Sequence, residues 1–120
     1  MAQEETLSAF LEATGTLEIL LEIGERQRTF GYLRDNVEIS SSTLSDRLKG
    51  GVQLGIWEQT LRHEDGGTSR KVYQLTEDGE EYYDLALDYD FPTLFKEFYR
   101  IKFELESTHR EYVNEALMSD

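Results

Sequence analysis

The chain has 120 residues, of which 25 are acidic and 12 basic, and its formal net charge is −13. This length fits one domain with a core of its own but not two. Cysteine is absent, which excludes a disulfide framework, a thiolate zinc site and a thiol redox sensor. No apolar run approaches the roughly 20 residues of a membrane helix, and the acidic N-terminus lacks the apolar segment of a signal peptide. We therefore expect a soluble cytoplasmic protein with no membrane partner.

The charge is unevenly distributed along the chain. The segment 26–71 has eight basic and six acidic side chains, whereas the rest has four basic and nineteen acidic ones. Because phosphate repels an acidic protein, the mildly basic middle is the part suited to nucleic acid. An acidic excess of this size is typical of proteins that work in molar salt, where the Debye length is only about 3 Å. The alternative is a mesophilic acidic protein that binds a basic partner.

The first third of the sequence predicts three helices. Residues 4–12 form the first, and 14–16 interrupt it and cap a second helix over 17–23. Gly24 is a natural stop for that second helix. Phe30, Leu33 and Val37 line one side of a third. Together with the helix that follows, these segments predict a helix-turn-helix arrangement.

A fourth helix begins after Ser40, whose hydroxyl is a suitable N-cap between the hydrophobic staple positions Ile39 and Leu44. Leu44 and Leu48 lie one turn apart and face the core. The open side has Ser41, Ser42, Asp46, Arg47 and Lys49. A helix N-terminus also tolerates phosphate, so this face suits a DNA groove. The alternative is an ordinary amphipathic surface helix.

A hairpin follows, with strands over 56–62 and 69–75 around a turn at 64–67. Arg62, His63, Arg70 and Lys71 are expected to place positive charge at its tip. Trp57 is expected in the core at the hairpin base. Thr76 is expected to cap a helix over 77–87.

The last helix begins near Pro92, a position that proline tolerates well. Between residues 91 and 117 large apolar side chains recur in heptad fashion, and a small domain has no room to cover them all. They predict a homodimer, the alternative being a helix folded back on its own domain. The expected dimer interface is Phe91, Leu94, Phe98, Ile101, Leu105 and Tyr112. We divide the chain into a DNA-binding domain, 1–88, and a dimerisation helix, 89–120.

The segments TLEILL (16–21), TFGYLR (29–34) and ISSSTLSDRLK (39–49) resemble winged helix-turn-helix transcriptional regulators of the HxlR, PadR and MarR types. LGIW (54–57) resembles the entry to their wing, and VYQLTEDG (72–79) resembles its exit. The resemblance covers roughly residues 14–88. It implies an α+β fold in which the fourth helix reads the major groove, the wing contacts phosphate or the minor groove, and terminal helices form the dimer. The acidic composition suggests a haloarchaeal, RosR-like member.

One departure concerns Gly50 and Gly51, which stand where such proteins usually have a charged and a leucine-like residue. Each glycine inside a helix costs about 1 kcal/mol relative to alanine. Two interpretations remain open: the helix ends near Lys49, or it is pliable and becomes ordered on DNA.

The sequence thus predicts a homodimeric, sequence-specific regulator that binds double-stranded DNA at high salt, with no cofactor except potassium ions at the DNA interface. His63 and His109 are isolated, so no metal site is expected, and no nucleophile–base set suggests an enzyme. Two alternatives stay open, a winged-helix protein-interaction module and a ligand-sensing regulator. The candidate DNA-contacting residues are Arg28, Ser41, Ser42, Thr43, Asp46, Arg47, Lys49, Arg62, Arg70 and Lys71.

Overall fold

The computed structural model describes residues 2–64 and 66–118 and contains, within them, six helices and one antiparallel hairpin. The predicted α+β winged-helix fold with a long C-terminal helix is confirmed. The chain divides into two units, Met1–Ala86 and Leu87–Asp120. In chain order the elements are α1 (Ala2–Glu12), α2 (Thr16–Glu25), α3 (Phe30–Asn36), α4 (Ser41–Gln53), β1 (Trp57–His63), β2 (Ser69–Leu75), α5 (Glu77–Asp88) and α6 (Phe91–Met118).

The core of the first unit lies where α2, α3 and α4 meet the base of the hairpin. Trp57 is its largest fully buried side chain. The indole Nε1–H donates to the Leu48 carbonyl at 3.0 Å, and Phe10 of α1 packs edge-on against the ring with centroids 5.6 Å apart. A buried tryptophan needs such a partner for its N–H. The prediction that Trp57 belongs to the core is confirmed.

Hydroxyl side chains cap three of the helices. Ser40 Oγ accepts from Thr43 N at 3.1 Å, and Thr76 Oγ1 accepts from Gly79 N at 3.1 Å, as predicted. Thr29 caps α3 in the same way through Tyr32 N, which the sequence reading missed. The N-cap of α2 lies within the predicted segment 14–16, but it is Gly15, which adopts a left-handed conformation (φ 90°) and has no side chain to bond the first turn.

Gly24 does not stop α2, contrary to the prediction, since the helix continues to Glu25. The reason is a close packing contact. A Cβ at Gly24 would overlap the Tyr83 ring of α5. This glycine therefore lets the two helices approach, and its role is packing rather than termination.

The second unit is dominated by α6, a helix of 28 residues with no buried side chain in the single chain. Of the predicted interface residues, Leu94, Phe98, Ile101, Leu105 and Tyr112 are all more than half exposed. The sixth, Phe91, is half-buried, and its ring lies 6.4 Å from that of Phe95. Within the described residues, no helix has the length and apolar character needed to cross a membrane.

Candidate nucleic-acid interface

The exposed face of α4 is polar and begins at the capped end of the helix. Ser41, Ser42, Asp46 and Lys49 are exposed, whereas Leu44 and Leu48 are buried. The Ser40 hydroxyl also lies 3.2 Å from Ser42 Oγ. Small hydroxyl side chains share this surface with the backbone N–H groups of the first turn, of which the Thr43 N–H already donates to Ser40 Oγ. The face can therefore donate and accept hydrogen bonds without a large side chain in the way.

Two of the predicted α4 contacts, Thr43 and Arg47, lie on the flank of the helix and are half-buried. Thr43 Oγ1 accepts a hydrogen bond from Ser40 Oγ at 2.9 Å. Arg47 Nε donates to the carbonyl of Thr14, in the connection before α2, at 2.9 Å. One edge of the Arg47 guanidinium is thus used inside the protein. Its two terminal nitrogens are the groups left for an outside partner.

Gly50 and Gly51 lie inside α4, which continues to Gln53. The interpretation that the helix ends near Lys49 is therefore wrong. A Cβ at Gly50 would stand 2.9 Å from the Phe10 ring, and one at Gly51 would overlap the Trp57 indole. The two glycines are needed because α1 and the wing base pack directly on the backbone of α4. This packing holds the helix by the face opposite its polar surface.

The hairpin separates the predicted wing cations onto two faces. In its register Arg62 lies opposite Arg70, whereas Lys71 lies opposite Leu61. Because side chains alternate along a strand, the two arginines share a face with Val72, and Lys71 shares the other face with Leu61. The predicted single positive tip therefore corresponds to two different surfaces. Asp65 of the predicted turn lies outside the described residues.

An acidic side chain at the wing tip contacts both arginines. Glu64 Oε1 lies 3.2 Å from Arg62 Nη2 and 3.3 Å from Arg70 Nε. The sequence indicates that Glu64 belongs to the contact region, but it does not indicate that this carboxylate pairs with both arginines. The closeness of Glu64 to Arg62 in the sequence was the available clue, but Glu64 lies just beyond the end of β1, and only the hairpin brings Arg70 to the same carboxylate.

Arg28 is the predicted contact that the structure places inside the protein. Only 10% of its side chain is exposed, and it forms ion pairs with Glu22 and Glu25. Its Nε also donates to the Glu22 carbonyl at 3.0 Å, and its guanidinium lies 4.1 Å from the Tyr32 ring centroid. Because its side chain is largely buried and its Nε and Nη2 bind internal partners, we leave Arg28 out of the interface as a correction of the prediction.

The end of the wing is fastened to its beginning by Thr76 and Gly79. Thr76 Oγ1 donates towards the carbonyls of Gly55 and Ile56 at 2.5 and 2.9 Å. A Cβ at Gly79 would overlap the Ile56 carbonyl oxygen. The Leu-Thr-Glu-Asp-Gly segment thus closes the base of the hairpin, which fixes where the wing projects.

An open cleft of about 480 Å³ lies between the end of α2, the end of β2 and α5. Arg26, Glu80, Tyr83 and Asp84 contribute polar groups to its lining. Burial raises the pKa of the Tyr83 phenol, and the nearby carboxylates of Glu25 and Asp84 add to the effect. Among the described residues no group of His, Asp or Glu has the geometry of a metal site.

The fold is similar to that of several solved transcriptional regulators. The reduced form of YodB from B. subtilis aligns with a TM-score of 0.61 and 22% identity over 72% of this chain and 83% of its own. A MarR-family protein from Porphyromonas gingivalis aligns with a TM-score of 0.59 and 24% identity over 71% of this chain and 82% of its own. The homodimeric winged helix-turn-helix domain of a possible ArsR-family regulator from Mycobacterium bovis aligns with a TM-score of 0.57 and 20% identity over 78% of this chain and 82% of its own. No protein-family profile and no curated protein matches the chain. Identities this low establish the winged-helix fold and not the function.

Proposed function

We propose that this protein is a cytoplasmic, sequence-specific regulator of transcription that binds double-stranded DNA as a homodimer. The exposed polar face of α4 is the observation that carries the proposal. In helix-turn-helix proteins the second helix lies in the major groove, and its N-terminal residues contact base edges. In this chain Ser41, Ser42 and Asp46 lie in the first half of α4 with exposed side chains, and the exposed Lys49 follows three residues after Asp46.

The wing supplies the backbone contacts of the proposed complex. Arg62 and Arg70 on one face, or Lys71 on the other, would bind phosphate and fix the register of α4 on the duplex. Lys49, on the exposed face of α4, is a further candidate for base or phosphate contact. Arg47 contributes through its terminal nitrogens while its Nε stays bonded to the Thr14 carbonyl.

Selection from a pool of random duplexes tests the proposal. The protein is mixed with the pool across a range of potassium chloride concentrations, and the retained fraction is sequenced. An enriched palindromic motif is expected, because the half-sites of a dimer mirror its two-fold symmetry. Retention without enrichment contradicts sequence-specific readout. Absence of retention at any salt contradicts DNA binding and favours a protein-interaction module that uses the acidic surface.

Substitutions separate the two kinds of contact. Ser42→Ala combined with Lys49→Gln is expected to relax the preference at one or two positions of each half-site. Arg70→Gln should instead lower the affinity for all DNA sequences about equally, as loss of a phosphate contact does. Lys96→Gln on α6 is the control for the loss of one positive charge. An unchanged motif in the α4 double variant would contradict the assignment of α4 as the reading helix.

The exposed apolar stripe of α6 supports dimerisation through a second copy of the chain. A stripe of this kind is typical of helices that pair along heptad positions. Phe98→Glu with Leu105→Glu should give monomers in light scattering. Lys96→Glu with Arg110→Glu, on the opposite side of the same helix, is the control and should leave the dimer intact. A double variant of unchanged mass would contradict this interface.

The acidic excess supports a halophilic, haloarchaeal origin and a DNA complex that contains cations. Asp46 and Glu64 lie inside the proposed contact surface, so phosphate approaches them only with potassium ions between. Cation uptake offsets the release of counterions from DNA. A plot of log affinity against log potassium chloride should therefore be shallow or rise. A steep fall, like that of a basic repressor, would contradict bound potassium.

A further inference from the structure

We propose that Arg62 and Arg70 form a phosphate site at the wing tip, and that Glu64 fills this site in the free protein. The inference rests on the proposed function for its natural ligand, a phosphate of the DNA backbone. Glu64 then blocks the site in the free protein, and a phosphate of the duplex must displace its carboxylate before Arg62 and Arg70 can bind that phosphate.

The register of the hairpin brings the two cations together. Arg62 and Arg70 are directly paired residues of β1 and β2, so their side chains leave the same face at neighbouring positions. Like charges directly opposite each other destabilise a strand pair. An anion between them relieves this repulsion. Two guanidinium groups beside one anionic oxygen also supply several N–H donors and two positive charges, which is the chemistry that binds phosphate.

The carboxylate that occupies this position comes from the hairpin itself. Glu64 Oε1 lies 3.2 Å from Arg62 Nη2 and 3.3 Å from Arg70 Nε. The backbone N–H of Glu64 donates to the Thr68 carbonyl at 2.8 Å, which holds the residue at the start of the turn. One carboxylate oxygen thus takes the place of a phosphate oxygen between the arginines.

The contact is weak enough to exchange. Arg62, Arg70 and Glu64 are all partly exposed, and the Arg70 side chain is 62% exposed. Ion pairs in such positions contribute little and are screened by salt. A backbone phosphate can therefore replace Glu64 at the cost of two weak pairs. The block should lower the affinity for any duplex while leaving the sequence preference of α4 unchanged.

Glu64→Gln tests the block, because it removes the competing charge and keeps the shape of the side chain. Glu58→Gln is the matched control. Glu58 lies on the same face of β1, two positions from Thr60 and four from Arg62, and its carboxylate accepts from the neutral amide of Gln74 at 2.8 Å. Both variants change the net charge by the same amount. Circular dichroism selects the salt range in which all proteins are folded.

The first probe is inorganic tripolyphosphate, followed by the NMR signals of the arginine Nε–H groups. Glu64→Gln should bind it about three- to tenfold more tightly than the wild type at low salt. Glu58→Gln should bind it as the wild type does. Adding Arg62→Gln to Glu64→Gln should abolish the gain. If Glu64→Gln and the wild type bind tripolyphosphate equally, the proposed block by Glu64 is overturned.

The second probe is a duplex, titrated at several potassium chloride concentrations. The gain of Glu64→Gln should be greatest at the lowest salt. Its plot of log affinity against log salt should be steeper by about one unit, because no cation is taken up by a displaced carboxylate. A gain with tripolyphosphate but no duplex binding by any protein would support the anion site and contradict the DNA-binding function. Duplex binding with no effect of Glu64→Gln on either probe would support the function and contradict the block.

Discussion

Replacing Gly51 with alanine should destabilise the protein, although alanine is the better helix former. Gly51 lies in the interior of α4, and a Cβ there would overlap the six-membered ring and the Nε1 of Trp57. Trp57 is fully buried. Its indole therefore has no solvent to move into, and either the ring or the helix must shift.

The magnitude follows from three contributions. Alanine gains about 1 kcal/mol over glycine from helix propensity. Overpacking of a filled core costs about 1–3 kcal/mol, and displacement of the Trp57 indole weakens its hydrogen bond to the Leu48 carbonyl, which costs about 1–2 kcal/mol more. The net loss is about 2 kcal/mol. For a unit of the size of Met1–Ala86 this lowers Tm by roughly 8–16 °C.

The assay is thermal and urea unfolding, followed by circular dichroism and by the fluorescence of Trp57, the single tryptophan of the chain. Gly31→Ala is the matched control. Gly31 is also a helical glycine, and the nearest atom to its Cβ position is 3.8 Å away, at the end of the Arg34 side chain. This control should be neutral or up to about 1 kcal/mol more stable. A Gly51→Ala protein as stable as the wild type, with unchanged fluorescence, would refute the packing argument.

Three further outcomes are expected. Gly79→Ala should lower the free energy of unfolding in urea by at least about 3 kcal/mol, which is more than Gly51→Ala. The reason is that its Cβ meets the Ile56 backbone and not a movable ring. A smaller loss of stability would contradict this. Thr76→Val should cost about 1–2 kcal/mol in the same assay through loss of the α5 cap, and an unchanged midpoint would count against the cap. Burial, and to a lesser extent the nearby carboxylates, raise the pKa of Tyr83 above its ordinary value of 10.0. The unfolded chain therefore loses the phenol proton at a lower pH than the folded protein, and the free energy of unfolding should fall as pH rises through 10. Tyr83→Phe should reduce that fall, and the same decline in both proteins would contradict the assignment.

The sequence alone determines the features that depend on a few neighbouring residues. Ser40 and Thr76 indicate where helices begin, because a hydroxyl at the N-cap position accepts a hydrogen bond from the backbone N–H three residues later. The glycines at the hairpin turn are readable in the same way, since Gly66 and Gly67 adopt φ values of 91° and 84° that other residues rarely take. These local rules, with apolar periodicity, are sufficient for the order of the elements and the fold class.

Only the tertiary structure decides what distant residues do to one another. Gly24 looked like a helix stop because local rules contain no information about Tyr83, 59 positions further along the chain. For Arg28 the sequence left phosphate contact and salt bridges equally open, and the end of α2 against β2 decides for the ion pairs with Glu22 and Glu25. The hairpin register, not the sequence spacing, sets Arg62 opposite Arg70 with Glu64 between them. Charge and shape at a binding surface are sums over such non-local contacts, and these exist only once the chain has folded.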